Sequence, residues 1–263
     1  MVLKDRLDHL RGIVKTEKKV KVTELSQRFD VTEETIRRDL ERLELEGLIT
    51  RTHGGAVLKV ENMFDRLGYT HRSRTNVEEK KKIAQIVASI IPMQATLFAD
   101  ASSTVMEALT LMADRDDITV LTNSIPVLSS LNQSGLNIMS TNNRVSCSLQ
   151  VIIARTTIMN YHVDFVLTSC KGLKLDEGAY DSREGETEIK QLMISRGQKT
   201  IMMADHTKFD RTSFVKYCSF QQIDILVTDR RPADEWMELL EEYQIRILYP
   251  EAGDAYIKET GNS

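Results

Sequence analysis

Between residues 77 and 255 the chain repeats one pattern: a short apolar run, a polar turn, then apolar residues at helical spacing. The apolar runs are Thr96–Ala99, Ile118–Leu121, Leu136–Met139, Phe165–Thr168, Thr200–Met203, Ile223–Val227 and Ile245–Tyr249. Runs that stay apolar make strands buried on both faces. The helical stretches between them include 78–91, with Ile83, Val87 and Ile90 before Pro92, and one holding Met106, Ala108, Leu109 and Met112. A helix is the usual way to bring the chain back for a parallel neighbour. The pattern predicts an α/β domain with a mainly parallel sheet covered on both sides.

Ligands of such sheets bind outside the carboxyl ends of the strands. The residues that follow each run are therefore candidate contacts. They are Asp100 with Ser102, Ser103 and Thr104; Asn123 and Ser124; Asn142, Asn143 and Arg144; Lys171; and Asp205 with Lys208. Several are hydroxylated residues at helix starts, where unpaired backbone amides favour an anion. Ser102–Thr104 is the best candidate phosphate cradle.

The first 58 residues follow other rules. Leu3, Leu7, Leu10 and Val14 mark an amphipathic helix, which the polar run 15–21 interrupts. A short second helix begins near Val22 with Thr23 as its expected cap, and buries Leu25 and Phe29. Asp30-Val31-Thr32 forms a turn, and Thr32 caps a third helix from Glu33 to about Glu46, with Ile36, Leu40 and Leu43 inward. Two short apolar segments around Thr52-His53-Gly54-Gly55 read as a hairpin, because glycine accepts the positive backbone angles of a tight turn. Three helices and a wing make a winged helix-turn-helix. Thr32, Glu33, Thr35, Arg37, Arg38 and Arg42 surround the start and outer side of the third helix, the part that enters a major groove in such modules. Arginine bridges guanine acceptors and threonine meets a thymine methyl. Arg51 and His53 on the wing reach a phosphate or the minor groove, and Lys19 and Lys21 offer phosphate contacts.

Charge supports this division. Residues 1–60 hold 13 Lys and Arg against 11 Asp and Glu, and the remainder holds 22 against 28. Only the first part suits a polyanion. No apolar run is long enough for a bilayer, and the charged start does not read as a signal peptide. Cys147, Cys170 and Cys218 are too few and too scattered for a metal motif or a disulfide scaffold, so buried thiols in a reducing cytoplasm are expected. No metal or cofactor is implied.

Three runs carry a wider resemblance: Val22–Phe29, Val31–Leu40 and Arg51–Ala56. Through them residues 3–58 closely resemble the winged-helix domain of the DeoR family of bacterial sugar-metabolism regulators. Residues 74–250 resemble that family's effector domain, which is similar in fold to ribose-5-phosphate isomerase. Here Phe98–Thr104, Thr122–Ser124 and Ala204–Phe209 carry the likeness, together with Glu177-Gly178 and the stretch from Glu186 to Lys190. The resemblance implies a repressor of a carbohydrate operon, controlled by a small phosphorylated sugar or related metabolite. It also implies that Lys208 and Lys190 meet the anionic group, that Asp100 and Asp205 hold hydroxyls, and that Glu186 lines the pocket. Two departures stand out: Asn142-Asn143 where relatives carry paired glycines, and Val151-Ile152-Ile153 where they carry Gly-Pro.

The expected organisation is a DNA-binding domain at 1–58, a linker at 59–76 and an effector domain at 77–255. Pairing of half-sites implies a homodimer or homotetramer. Two other classes stay open. Asp100, Glu186, Lys190, Asp205 and Lys208 are residue types that a sugar-phosphate isomerase needs for proton transfer beside a carbonyl. A winged helix can also serve protein contacts alone.

Overall fold

The computed structural model describes residues 3–17, 19–45, 49–52, 54–58, 69–141, 154–251 and 254–257. They form two compact units, the first ending at Thr70 and the second beginning at His71.

The first unit runs α1 (Leu3–Glu17), β1 (Lys19–Lys21), α2 (Val22–Phe29), α3 (Glu33–Leu45), β2 (Ile49–Thr52) and β3 (Gly55–Leu58). Leu10, Val14, Leu25, Ile36, Leu40, Leu43 and Ile49 make one shared core, because no single element here is large enough to cover its own apolar face. Arg6 clamps α1 to α3 through the buried Asp39, with Nε 2.6 Å and Nη2 3.3 Å from its carboxylate oxygens. Thr32 caps α3 as expected: its Oγ1 accepts the Thr35 amide at 3.3 Å. Thr23 does not cap α2. That helix starts at Val22, two residues earlier than a Thr23 cap would set it, with Lys21 at the cap position and no side-chain hydrogen bond there. The polar run thought to interrupt the helices contains a strand. Val20 alone is buried in Lys19–Lys21, and β1 pairs antiparallel with β3 in a sheet of order β1-β3-β2. The two wing glycines therefore have different reasons. Gly54 takes φ 89°, whereas Gly55 lets β1 approach: a Cβ there would lie 2.1 Å from the Val20 carbonyl oxygen.

The helix α4 (69–74) spans the boundary between the units, and the second unit opens with its last four residues and α5 (Val77–Ile90). The expected linker therefore ends in a helix, while residues 59–68 lie outside the described residues. Its central sheet comprises β4 (Thr96–Ala99), β5 (Thr119–Thr122), β6 (Asn137–Ser140), β7 (Val163–Ser169), β10 (Gly197–Met203), β12 (Ile225–Val227) and β13 (Arg246–Leu248). The order is β13-β12-β10-β7-β4-β5-β6 and every pairing is parallel. Side chains of period two separate two cores. Leu97 and Ala99 pack with Ile83, Val87, Val105 and Leu109, from α5 and α6 (Ser103–Leu111). Phe98, Val166 and Met202 face a second core with Ala154 and Ile158 of α8 (154–159), Ile189 and Met193 of α9 (Glu184–Ser195) and Trp236 of α10 (Asp234–Glu242). The apolar side of α10 is thus core. A three-stranded antiparallel sheet, β8 (Gly172–Lys174), β9 (Gly178–Asp181) and β11 (Val215–Cys218), has no counterpart in the sequence reading.

Strand order positions the site. The chain moves outward from β4 through β5 to β6, then returns to the other side of β4 with β7. The β4/β7 boundary is the switch point, where loops diverge and leave a crevice at the carboxyl ends.

Candidate functional site

That crevice holds a cavity of about 200 Å³, and all its lining residues belong to the second unit. The end of β4 supplies Asp100, Ser102, Ser103 and Thr104, and the end of β5 supplies Asn123. Lys171 follows β7; Glu186 and Lys190 come from α9; Asp205 and Lys208 follow β10. The sequence-predicted residues therefore converge, with exceptions.

Ser124 is buried and does not line the cavity; its Oγ accepts the Val127 amide and caps α7 (Ile125–Ser130). Asn142, Asn143 and Arg144 lie outside the described residues, as does the Val151–Ile153 departure.

Two expected roles change. Asp100 holds no hydroxyl in waiting. Its oxygens accept the amides of Ser102 (2.8 Å) and Ser169 (3.0 Å) and the Thr168 hydroxyl (3.0 Å), which ties β4 to β7. Lys190 is not a spare cation. Its ammonium sits 3.1 Å from Asp100 and 2.6 Å from Asp181, and also donates to the Ser169 carbonyl. Burial pulls the Lys190 ammonium down, yet Asp100, Tyr217 and Asp181 raise it well above the ordinary lysine value. Burial pushes the Asp181 carboxyl up, and Lys190 more than offsets this, holding it below the usual carboxylate range. Charges that compensate each other so closely fix the floor of the site and offer little to a ligand.

Positive charge remains above that floor. Burial lowers the Lys171 ammonium, and Arg72 and Lys208 lower it further against the pull of Asp181 and Glu186. Lys80 is lowered by burial too, with Lys208 and Arg72 adding to the effect and Asp205 opposing it. Four cations therefore crowd one wall, and Lys208 reaches its acidic neighbour Asp205 only at 3.9 Å. The same cavity is lined by the start of α6, where Ser102 Oγ accepts the Val105 amide at 3.1 Å. Among the described residues the amides of Ser103 and Thr104 have no partner, as expected of a helix's first turn. Asn123 Oδ1 is buried without a hydrogen-bond partner among the described residues.

Sequence reasoning did not single out Asp181, Lys80, or His71 and Arg72 of the expected linker. It also missed Asn76. All five line the cavity. The available signal was an asparagine directly before the Val77 helix, a residue type that tolerates the left-handed φ of 51° it takes there.

On the first unit Arg37 and Arg38 are accessible, with side chains 47% and 75% exposed. Arg37 Nη2 lies 2.7 Å from Glu33 Oε2, and Glu34 lies 3.7 Å from each arginine. Thr32, Arg42, Arg51 and Lys19 are exposed, Glu33 and Thr35 half-buried, and Lys21 pairs with Glu24 at 2.9 Å. His53 lies outside the described residues.

Elsewhere, Glu79, His206 and Asp229 bring potential ligand atoms within 4.8 Å of one another. Asp229 already accepts the His206 amide (2.6 Å), shares a hydrogen bond with its Nδ1 (2.9 Å) and meets Arg230 Nε (3.0 Å), so the group reads as a fastening for the 206–208 turn. No helix among the described residues is long and apolar enough to cross a membrane.

Residues 75–230 match the family model for the DeoR C terminal sensor domain, and residues 6–62 match that for the DeoR-like helix-turn-helix domain. The chain belongs to the DeoR family. This DeoR-family protein is 34% identical to the HTH-type transcriptional regulator YulB of Bacillus subtilis, over 94% of this chain and 96% of that one. It is 28% identical to the glycerol-3-phosphate regulon repressor of Escherichia coli, over 89% and 94%. Ribose 5-phosphate isomerase A of Methanocaldococcus jannaschii aligns with TM-score 0.44 at 10% identity, covering 72% of this chain and 100% of that one. The DeoR-family chain is thus a helix-turn-helix transcriptional regulator with an α/β sensor domain, and its relatives are named as regulators.

Proposed function

We propose that this regulator binds operator DNA through α3 and the wing, and that a small phosphorylated sugar or related intermediate in the sensor cavity controls that binding. The output is repression of a carbohydrate-metabolism operon in the cytoplasm, by a homodimer or homotetramer whose paired heads read two half-sites. One observation carries the effector reading: unpaired α6 amides line one cavity with Arg72, Lys80, Lys171 and Lys208 at the switch point. Such an arrangement favours a compact anion. Asn123 and Glu186 then serve the hydroxyls. The name of the glycerol-3-phosphate regulon repressor supports both a repressor and a phosphorylated metabolite. Binding without turnover is favoured because Lys190 and Asp100, two groups an isomerase would use, neutralise each other.

The test is a thermal-shift screen of the full chain with glycerol 3-phosphate, ribose 5-phosphate and fructose 6-phosphate, each beside its dephosphorylated counterpart. A hit at a hundredfold excess over Kd stabilises by about 2.7 kcal/mol. The hit is then titrated into a complex with a duplex selected from a random pool. Stabilisation by the phosphorylated members alone, with altered DNA affinity, is expected. Equal effects of free sugars, or no effect of any ester, would defeat the reading.

A further inference from the structure

The cavity is completed by residues outside the matched sensor segment. His71 and Arg72 line it, yet they fall between the two family matches, which end at 62 and resume at 75. Both sit on α4, the element through which the chain arrives from the first unit.

Two side chains fasten the end of α4 to the site. Lys80 Nζ donates to the carbonyl oxygens of Arg72 and of Thr75, the latter at 2.7 Å. The Arg72 carbonyl also accepts the Thr75 amide at 3.2 Å, so the ammonium adds a second, charged bond that holds the end of α4. Asn76 Nδ2 donates across to Asp205 Oδ1 and Thr207 Oγ1, each at 3.1 Å. Lys80 and Asp205 are themselves cavity residues. The charges a bound anion would perturb are therefore the charges that hold the connector.

We propose that the connector is a working part of the effector site: Arg72 binds the anionic group, and through Lys80 and Asn76 cavity occupancy sets how firmly residues 69–76 are docked. This rests on the effector reading above and adds the route by which binding is felt outside the cavity. A ligand shifts an equilibrium only by binding one state better. Arg72 faces the cavity when α4 is docked, so an anion favours the docked state and tightens 69–76.

The experiment uses the full chain with inorganic phosphate and glycerol 3-phosphate as probes. Hydrogen exchange across 69–76 is expected to slow by about fivefold or more when either probe is bound. Arg72→Met is expected to weaken binding about tenfold or more, the scale of one lost charge-assisted hydrogen bond. Asn76→Gly keeps the left-handed backbone, removes the amide and is expected to shrink the protection of 69–76. Protection confined to 100–104 and 205–208, or wild-type affinity in Arg72→Met while Lys208→Met loses binding, overturns the connector role and leaves the cavity reading standing. Failure of both probes, and of the sugar phosphates, to bind the wild type removes both.

Discussion

Replacing Lys190 by Met tests the floor of the site most sharply. Methionine fills much of the lysine volume, so the loss is chiefly the ammonium between Asp100 and Asp181. Both carboxylates are buried. Removing one partner from a buried ion pair typically costs about 3–5 kcal/mol, because the remaining charge stays desolvated. For a unit of this size that is a fall in melting temperature of roughly 6–20 °C. Trp236 is the only tryptophan, is 1% exposed and lies in this unit, so its fluorescence during urea unfolding reports the sensor domain without interference from the DNA-binding head. The pH dependence separates charge from packing. In the wild type the Lys190 contribution is complete below the unfolded lysine value of 10.5 and is lost only as pH rises through its higher folded value. The Asp181 contribution is present above 3.8 and is lost as pH falls through its lower folded value. Between those limits wild-type stability is insensitive to both. In the variant burial pushes the Asp181 carboxyl up against only the smaller effects of the Ser182 amide and Lys171, so stability is lost as pH rises through its raised value. The deficit should therefore shrink as the pH is lowered from 8 to 5. A deficit below about 1 kcal/mol, or one equal at both pH values, would refute the view that these charges fix the floor.

Arg37→Ala and Arg38→Ala should each weaken binding to a selected duplex by about 1–3 kcal/mol and relax its sequence preference, measured by fluorescence anisotropy; unchanged affinity with an intact fold would favour a protein-contact role. Gly55→Ala drives a Cβ into the Val20 carbonyl and should cost the wing about 1–3 kcal/mol, seen as faster hydrogen exchange across 19–21 with the Trp236 unfolding midpoint unmoved. Burial pushes the Cys170 and Cys218 thiols up to about 12, so peptide mapping should find both unmodified by iodoacetamide at pH 8 until urea unfolds the sensor unit.

Local rules made much of this legible. Thr32 caps α3 because a hydroxyl before a helix answers an unpaired amide, and β4 matches its apolar run because a buried strand has few alternatives. Lys190 and Asp100 were legible as site residues but not in their roles. Whether a lysine meets solvent, a ligand or two carboxylates is settled by Asp181, which arrives from a small antiparallel sheet whose strands alternate too briefly to be read. Val20 shows the same limit: a three-residue strand among lysines carries no periodicity, and only its pairing with Ala56 makes it one. Arg72 and Asn76 were obscured by a polar stretch that reads as linker until Lys80, Asp205 and Thr207 are seen to hold it.

The β4–β7 seam has a consequence for the order of assembly. Asp100 takes its partners from Thr168 and Ser169, 68 and 69 positions later, and Thr96 bonds Asp164 across a separation of 68. Contacts so distant form late, and on the ribosome they wait for the downstream chain to emerge. Among the described residues the three-stranded sheet of the winged head lies wholly between Lys19 and Leu58. Synthesis therefore completes the helix-turn-helix head well before the sensor cavity exists, and any product cut short ahead of Lys208 carries the head with an incomplete cavity.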